Sequence, residues 1–179
     1  MCVGLEMATT LRKVTKADRG LLHSWRNQDH VRFNMYTSHK ITQDEHHSWF
    51  DAVMIDESKK FWIIQSDGED IGMVNLYDID FDRSECCWAF YIGRTDMTGK
   101  GIGSAVETRI LNIVFGELKL SKLKCEVLAF NEGVIYLHKK FGFKQTGILK
   151  ARVERDGEPV DSICLEMTAE AWGKSSLAA

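Results

Sequence analysis

The chain has 179 residues and a formal net charge of -3, with 44% hydrophobic and 27% charged residues. That length suits one domain with a sizeable core, and the mild acidic balance argues against a general attraction to nucleic acid or to an acidic membrane. Five scattered cysteines (Cys2, Cys86, Cys87, Cys125, Cys164) form no C-x-x-C pair and no metal-ligand spacing, so the expectation is reduced thiols, a cytoplasmic protein and no metal.

In chain order, residues 11–15 alternate and predict a strand. Thr15 then stands as N-cap to a helix running through Trp25. Residues 26–40 are polar and aromatic without a period and read as a loop. Thr42-Gln43-Asp44-Glu45 is a capping-box pattern, opening a helix with Trp49, Phe50, Val53 and Met54 at helical spacing. Residues 61–65 and 71–79 predict two strands joined by the turn Ser66-Asp67-Gly68-Glu69. After Asp80-Phe81-Asp82-Arg83 comes a strand over 85–93, in which Cys86 and Cys87 point to opposite faces.

A glycine loop follows, then an amphipathic helix marked by Val106, Ile110 and Val114. Residues 122–129 predict another strand. Asn131 caps a helix over 132–141, which Gly142 ends. Two last strands, 144–154 and 159–167, meet at the hairpin signal Asp156-Gly157. The result is an α/β (α+β) domain over 8–170 with a tail at 171–179. Its sheet is mixed and mostly antiparallel, with about seven strands and four helices. The helix between the fourth and fifth strands permits one parallel pair. No apolar run reaches membrane-spanning length, and the first seven residues do not resemble a signal peptide.

The loop Thr98-Gly99-Lys100-Gly101-Ile102-Gly103 is the chemical focus. Glycine lets backbone approach a ligand, and a helix start presents bare N–H groups that suit an anion. The spacing is neither a Walker A loop nor a dinucleotide fingerprint.

Between a strand and a helix, this loop resembles the acyl-CoA site of the GNAT N-acetyltransferases, whose signature is Arg/Gln-x-x-Gly-x-Gly/Ala. Thr98 stands where Arg or Gln is usual. A second stretch, Asn131-Glu132-Gly133-Val134-Ile135-Tyr136-Leu137-His138-Lys139-Lys140-Phe141-Gly142-Phe143, is similar to the family's later motif. His138 stands where the family often has a proton-donating tyrosine. The region around Trp25-Arg26-Asn27, Met35-Tyr36 and Trp49-Phe50 resembles the branch that acetylates nucleotide-linked amino sugars of the UDP-4-amino type.

The resemblance implies a sheet splayed between its fourth and fifth strands, with acetyl-CoA as donor in the gap. Backbone groups of Phe90, Tyr91 and Ile92 would pair with the pantetheine arm. The loop residues Thr98, Gly99, Lys100, Gly101, Ile102, Gly103 and Ser104 would hold the pyrophosphate, and Asn131 would bond the cofactor. The amine attacks directly in a ternary complex, and a general acid protonates the leaving thiolate.

His138 is the candidate acid, with Tyr136 as alternative on another helix face. Glu85 is the candidate base, with His46 and His47 as alternatives. Cys87, on the face of Glu85, is the cysteine to watch as an acyl carrier. Arg26, Met35, Tyr36 and His47 are candidate acceptor-binding residues, with Arg32 beside Arg26 for an anionic group. Trp25, Trp49 and Phe50 fit the core as well as the pocket. Expected partners are the small-molecule amine and, through the last hairpin, a second copy of the chain. The rival expectations are a peptide or ribosomal-protein amine acetyltransferase and a non-catalytic acyl-CoA-binding module.

Overall fold

The computed structural model describes residues 8–175; Cys2 lies outside them. Seven strands form one sheet in the order β1-β2-β3-β4-β5-β7-β6. They are β1 (Thr9–Lys13), β2 (Lys60–Ser66), β3 (Glu69–Asp80), β4 (Glu85–Ile92), β5 (Lys122–Leu128), β6 (Lys144–Arg155) and β7 (Glu158–Thr168). Every neighbouring pair is antiparallel except β4 and β5, which run parallel.

Turn chemistry sets the hairpins. Asp67 and Gly68 (φ 50° and 85°) join β2 to β3, and Asp156 and Gly157 (φ 52° and 81°) join β6 to β7. Both pairs adopt the left-handed conformations that a two-residue hairpin turn requires.

The helices are α1 (Arg19–Arg26), α2 (Asp29–Arg32), α3 (Gln43–Met54), α4 (Ile102–Leu111), α5 (Glu132–Phe141) and α6 (Ala169–Gly173). At the start of α3 the capping box is made: the Glu45 N–H donates to Thr42 Oγ1 (3.2 Å) and the Thr42 N–H to Glu45 Oε2 (2.7 Å). Gly142 (φ 103°) ends α5, and the Phe143 N–H returns to the His138 carbonyl (3.0 Å), the bond pattern of a Schellman cap.

Each face of the sheet carries a core. Ile64, Val74, Trp88, Leu123 and Leu165 pack with α4 and α5 on one side. Ile63, Met73 and Tyr91 pack with Leu22, Trp25, Val31 and Phe50 on the other. Cys86 is buried in the first core while Cys87 faces the second side, as alternation requires.

Two short helices depart from the sequence expectation. The four-residue α2 falls inside the segment read as a loop, where one buried residue, Val31, anchors a helix too short to leave a periodic signal. The other, α6, lies across the boundary drawn at residue 170, and its Trp172 is 5% exposed in the larger core. Residues 176–179 of the expected tail lie outside the described residues. The helix begins after Asn131 as expected, but the Asn131 side chain makes no capping hydrogen bond.

Candidate active site

The parallel pair is short. β4 and β5 are in register only at Glu85–Lys122, Cys86–Leu123 and Cys87–Lys124. Beyond these, β5 continues along β7 as far as Leu128, while β4 continues along β3 to Ile92. The strands part after Cys87, leaving one edge of residues 88–92 without a β-ladder. On that open stretch His30 Nε2 lies 3.0 Å from the Ile92 carbonyl. Phe90 turns to the α4–α5 side and stacks on Trp88, whereas the Tyr91 side chain is buried on the α1–α3 side. Only the backbone of Tyr91 is therefore available to a ligand in the gap.

The glycine loop lies between β4 and α4. Gly99 and Gly101 have φ of 79° and 78°, and a Cβ built on either meets nothing within 4 Å. Space is open there, and a left-handed backbone makes glycine the favoured residue. Gly101 is the N-cap of α4, and the first turn holds no acidic residue. Lys100 is exposed and Ile102 is buried, so the loop is anchored by one side chain while its backbone stays open. Open backbone at a helix start suits an anion.

Gly103 is different. A Cβ there would stand 2.9 Å from Leu137 Cδ2 and 3.8 Å from Phe90 Cζ. The third glycine is thus a packing position, letting α4 and α5 approach closely.

That approach brings together two polar side chains in the larger core. His138 is 2% exposed, with Trp88, Phe90 and Phe143 around its ring (centroids 5.1, 6.5 and 5.3 Å). Its Nδ1 lies 3.0 Å from Oε1 of Glu107, which is fully buried. Burial pushes the Glu107 carboxyl above its ordinary range, and the bond to His138 opposes this. Glu107 did not stand out in the sequence, although Gly103, Glu107 and Leu111 are spaced by four along the buried side of the helix. Tyr136, by contrast, is 71% exposed and points away from this cluster.

The opposite face holds a polar groove, lined in part by Asp78, Asp80, Asp82, Glu85, Cys87 and Lys124, with a volume of about 780 Å³. A smaller cavity beside it is bordered by Glu126 and Cys164. Glu85 is committed to cations: Lys124 Nζ donates to its Oε1 at 2.8 Å and Arg83 Nε stands 3.6 Å away. The Lys124 bond, the largest influence, lowers its pKa, which disfavours it as a base. Glu85 also sits at the closed end of the gap. Glu126 lies farther along β5, on the same face and past the point of separation. It accepts a hydrogen bond from the Tyr36 hydroxyl, and Arg152 Nε lies 3.9 Å from its Oε2. The Tyr36 hydroxyl is also 2.9 Å from Ser162 Oγ. Burial is the main reason its pKa is raised. Burial likewise pushes the Cys87 thiol up to about 11, which suppresses the thiolate that an acyl carrier needs.

The front segment owes its position to its polar residues. Trp25 packs on Gly93 so closely that a Cβ there would meet its ring at 2.3 Å. Arg26 Nη2 donates to the Thr37 carbonyl (2.6 Å), and Arg32 Nη1 donates to that of Ser38 (2.7 Å). Asn27 brackets Ile41, accepting from its N–H (2.7 Å) and donating to its carbonyl (2.9 Å). Trp25-Arg26-Asn27 is thus a clamp on the following loop, and both arginines spend donors on backbone. The loop is also tied to the last hairpin: Arg155 donates to the carbonyls of Phe33 and Met35, and Phe33 packs on Phe130 with centroids 5.0 Å apart. His47, on α3, forms no hydrogen bond or ion pair with the groove residues among the described residues. His46 is buried with no hydrogen-bond partner on either ring nitrogen among the described residues, and burial lowers its pKa to about 4. Among the described residues, no three His, Cys, Asp or Glu side chains cluster to hold a metal. No described helix is long and apolar enough to cross a membrane.

Three similarities bear on this geometry. The chain is 28% identical over 163 residues to an uncharacterized prophage-derived N-acetyltransferase, YokL, of Bacillus subtilis, covering 90% of each. It is 26% identical to acetyltransferase PseH of Campylobacter jejuni, over 69% of this chain and 74% of that one. The fold superposes on spermidine N-acetyltransferase from Vibrio cholerae, solved in complex with CoA and spermine, with a TM-score of 0.86, 20% identity, and coverage of 93% and 98%. A model of the acetyltransferase (GNAT) domain matches residues 9–144, from β1 through the glycine loop, the gap and α5. The chain belongs to that family and is an acetyl-CoA-dependent N-acetyltransferase.

Proposed function

We propose that the acceptor is the primary amine of a nucleotide-linked amino sugar. In its finest form the acceptor is a UDP-4-amino-4,6-dideoxy sugar of pseudaminic acid biosynthesis, acetylated by direct attack in a ternary complex. The observation that carries this reading is the mixed groove beside the gap. Glu126 and the Tyr36 hydroxyl offer acceptors to an ammonium and a sugar hydroxyl, with Ser162 buried behind them, while Arg152 and Lys124 supply cations for phosphate. The similarity to PseH supports the same class. Arg26 and Arg32 hold the loop through carbonyl bonds, and Arg26 keeps Nη1 without a hydrogen-bond partner among the described residues.

In this reading the backbone of residues 90–92 and the open loop amides at 99–104 bind the donor, with Asn131 near its arm. Glu126 takes the amine proton, directly or through water, in place of Glu85. His138 gives a proton to the leaving sulfur. The four described cysteines are free thiols, which suits action in the cytoplasm.

A second reading is a polyamine acceptor, favoured by Asp78, Asp80, Asp82 and Glu85 along the groove. Thiol release from acetyl-CoA with a UDP-4-amino sugar, spermidine and an N-terminal peptide separates these. Release with the sugar alone supports the first. Release with spermidine alone replaces it by the second. Release driven by the peptide sinks both, and tight acetyl-CoA binding with no release leaves a binding module.

A further inference from the structure

The buried pair on α4 and α5 has no part in holding donor or acceptor. A carboxylate and an imidazole inside an apolar core are costly unless they bond each other. Here they do, with Glu107 Oε1 3.0 Å from His138 Nδ1 and both residues buried. Glu107 Oε2 has no hydrogen-bond partner among the described residues, so the imidazole is what the carboxyl serves. The other groups against the ring, Trp88, Phe90 and Phe143, carry no charge. The remaining titratable group facing the pair is the buried thiol of Cys125, opposite Glu107 on β5.

Which ring nitrogen of a histidine keeps its proton is set by the bond that the other nitrogen makes. An unbonded neutral imidazole is free to carry its proton on Nε2. A carboxylate at Nδ1 holds the proton there and leaves Nε2 as the exchanging atom. Gly103 eases the approach of α4 to α5, because a Cβ there would stand 2.9 Å from Leu137 Cδ2 and the tip of Leu137 would have to shift.

We propose that Glu107 is the positioning residue of the acid: its carboxylate accepts the Nδ1–H of His138, fixes that tautomer, and leaves Nε2 to exchange a proton with the reacting sulfur. This rests on reading His138 as the general acid. In the step itself, the amine lone pair forms the C–N bond and the C–S electron pair stays on sulfur. The Nε2 proton of the imidazolium goes to that sulfur, giving the thiol. The surplus amine proton leaves to base or solvent. The ring ends neutral, with Nδ1–H still bonded to Glu107, and regains its Nε2 proton from solvent.

The test begins on the protein alone, by ¹⁵N NMR of the His138 ring above its titration. The expected neutral form is Nδ1–H. The Nε2–H form overturns the pairing, whatever the acceptor proves to be. In turnover, Glu107→Leu is expected to lower kcat about 10-fold or more, part of what a positioned general acid contributes, with both KM values within about twofold. Glu107→Gln, whose amide oxygen can still accept from Nδ1, is expected to recover part of that loss. In a His138→Tyr background, Glu107→Leu is expected to change kcat less than about twofold. An equal loss in both backgrounds, or no loss in the wild-type background, overturns the proposal. If Glu107→Leu does not fold, the wild-type tautomer decides alone. An Nδ1–H ring together with no thiol release for any amine overturns the acceptor reading and leaves the pairing standing.

Discussion

The two faces of the sheet are built on different principles. On the α4–α5 face, apolar side chains close a core around one carboxyl–imidazole pair, and what lies open is backbone: the edge of β4 and the loop glycines. On the opposite face beyond β4, polar side chains line an open groove, and Tyr36, Glu126 and Ser162 meet across long sequence distances by the smaller cavity beside it. A backbone surface is indifferent to which side chains flank it, so it suits a donor common to a whole family. A side-chain surface changes with each substitution, so it suits an acceptor that differs among relatives.

The comparison breaks most visibly at His138. His138→Gln is expected to lower kcat by about 100-fold or more while leaving acceptor KM nearly unchanged, because the loss is of proton transfer. A rise in acceptor KM instead would move this residue to the other face's function. Tyr36→Phe is the reciprocal change. It removes the hydroxyl between Glu126 and Ser162, and acceptor KM should rise about tenfold, near 1.4 kcal/mol, with acetyl-CoA affinity unaltered by titration calorimetry.

At the loop, Gly101→Ala meets no steric barrier but must hold φ near 78°. A penalty of about 1–2 kcal/mol is expected, read as weaker acetyl-CoA binding or a lower Tm, with acceptor selectivity unchanged. The smallest effect is expected at Cys87. With the thiol pushed up to about 11, about one molecule in ten thousand carries a thiolate at pH 7. Cys87→Ala should leave turnover within about twofold. Loss of activity together with a trapped acyl-enzyme would overturn direct attack.

The same division governs what can be read from the chain. Gly99, Gly101, the Thr42–Glu45 box and the Asp-Gly hairpins are local: a few neighbouring residues determine their geometry, so their spacing announces them. The motif ending in Gly142 is local too, and it carried His138 into view. The partner of His138 was hidden, because Glu107 is 31 residues away and becomes its neighbour only when two helices pack. Tyr36 was singled out without its partners, Glu126 and Ser162, which lie 90 and 126 residues along the chain. The β5–β7 register sets Glu126 near Ser162 and the front loop brings Tyr36 onto them, and no short pattern encodes either. Arg26 and Arg32 are hard to read for a related reason: a guanidinium serves a backbone carbonyl as well as a phosphate, and the folded loop bonds both to carbonyls while leaving Arg26 Nη1 without a hydrogen-bond partner among the described residues.

The bonds from Arg155 to the carbonyls of Phe33 and Met35 span 122 and 120 residues. They join an early loop to the last hairpin, so they form only after nearly all of the chain has been made. Leu165 and Met167 of β7 belong to the same core as α4 and α5, so that face too is finished only when the last strand is in place. A chain stopped short of β7 lacks both the closure of that core and the Ser162 hydroxyl beside Tyr36.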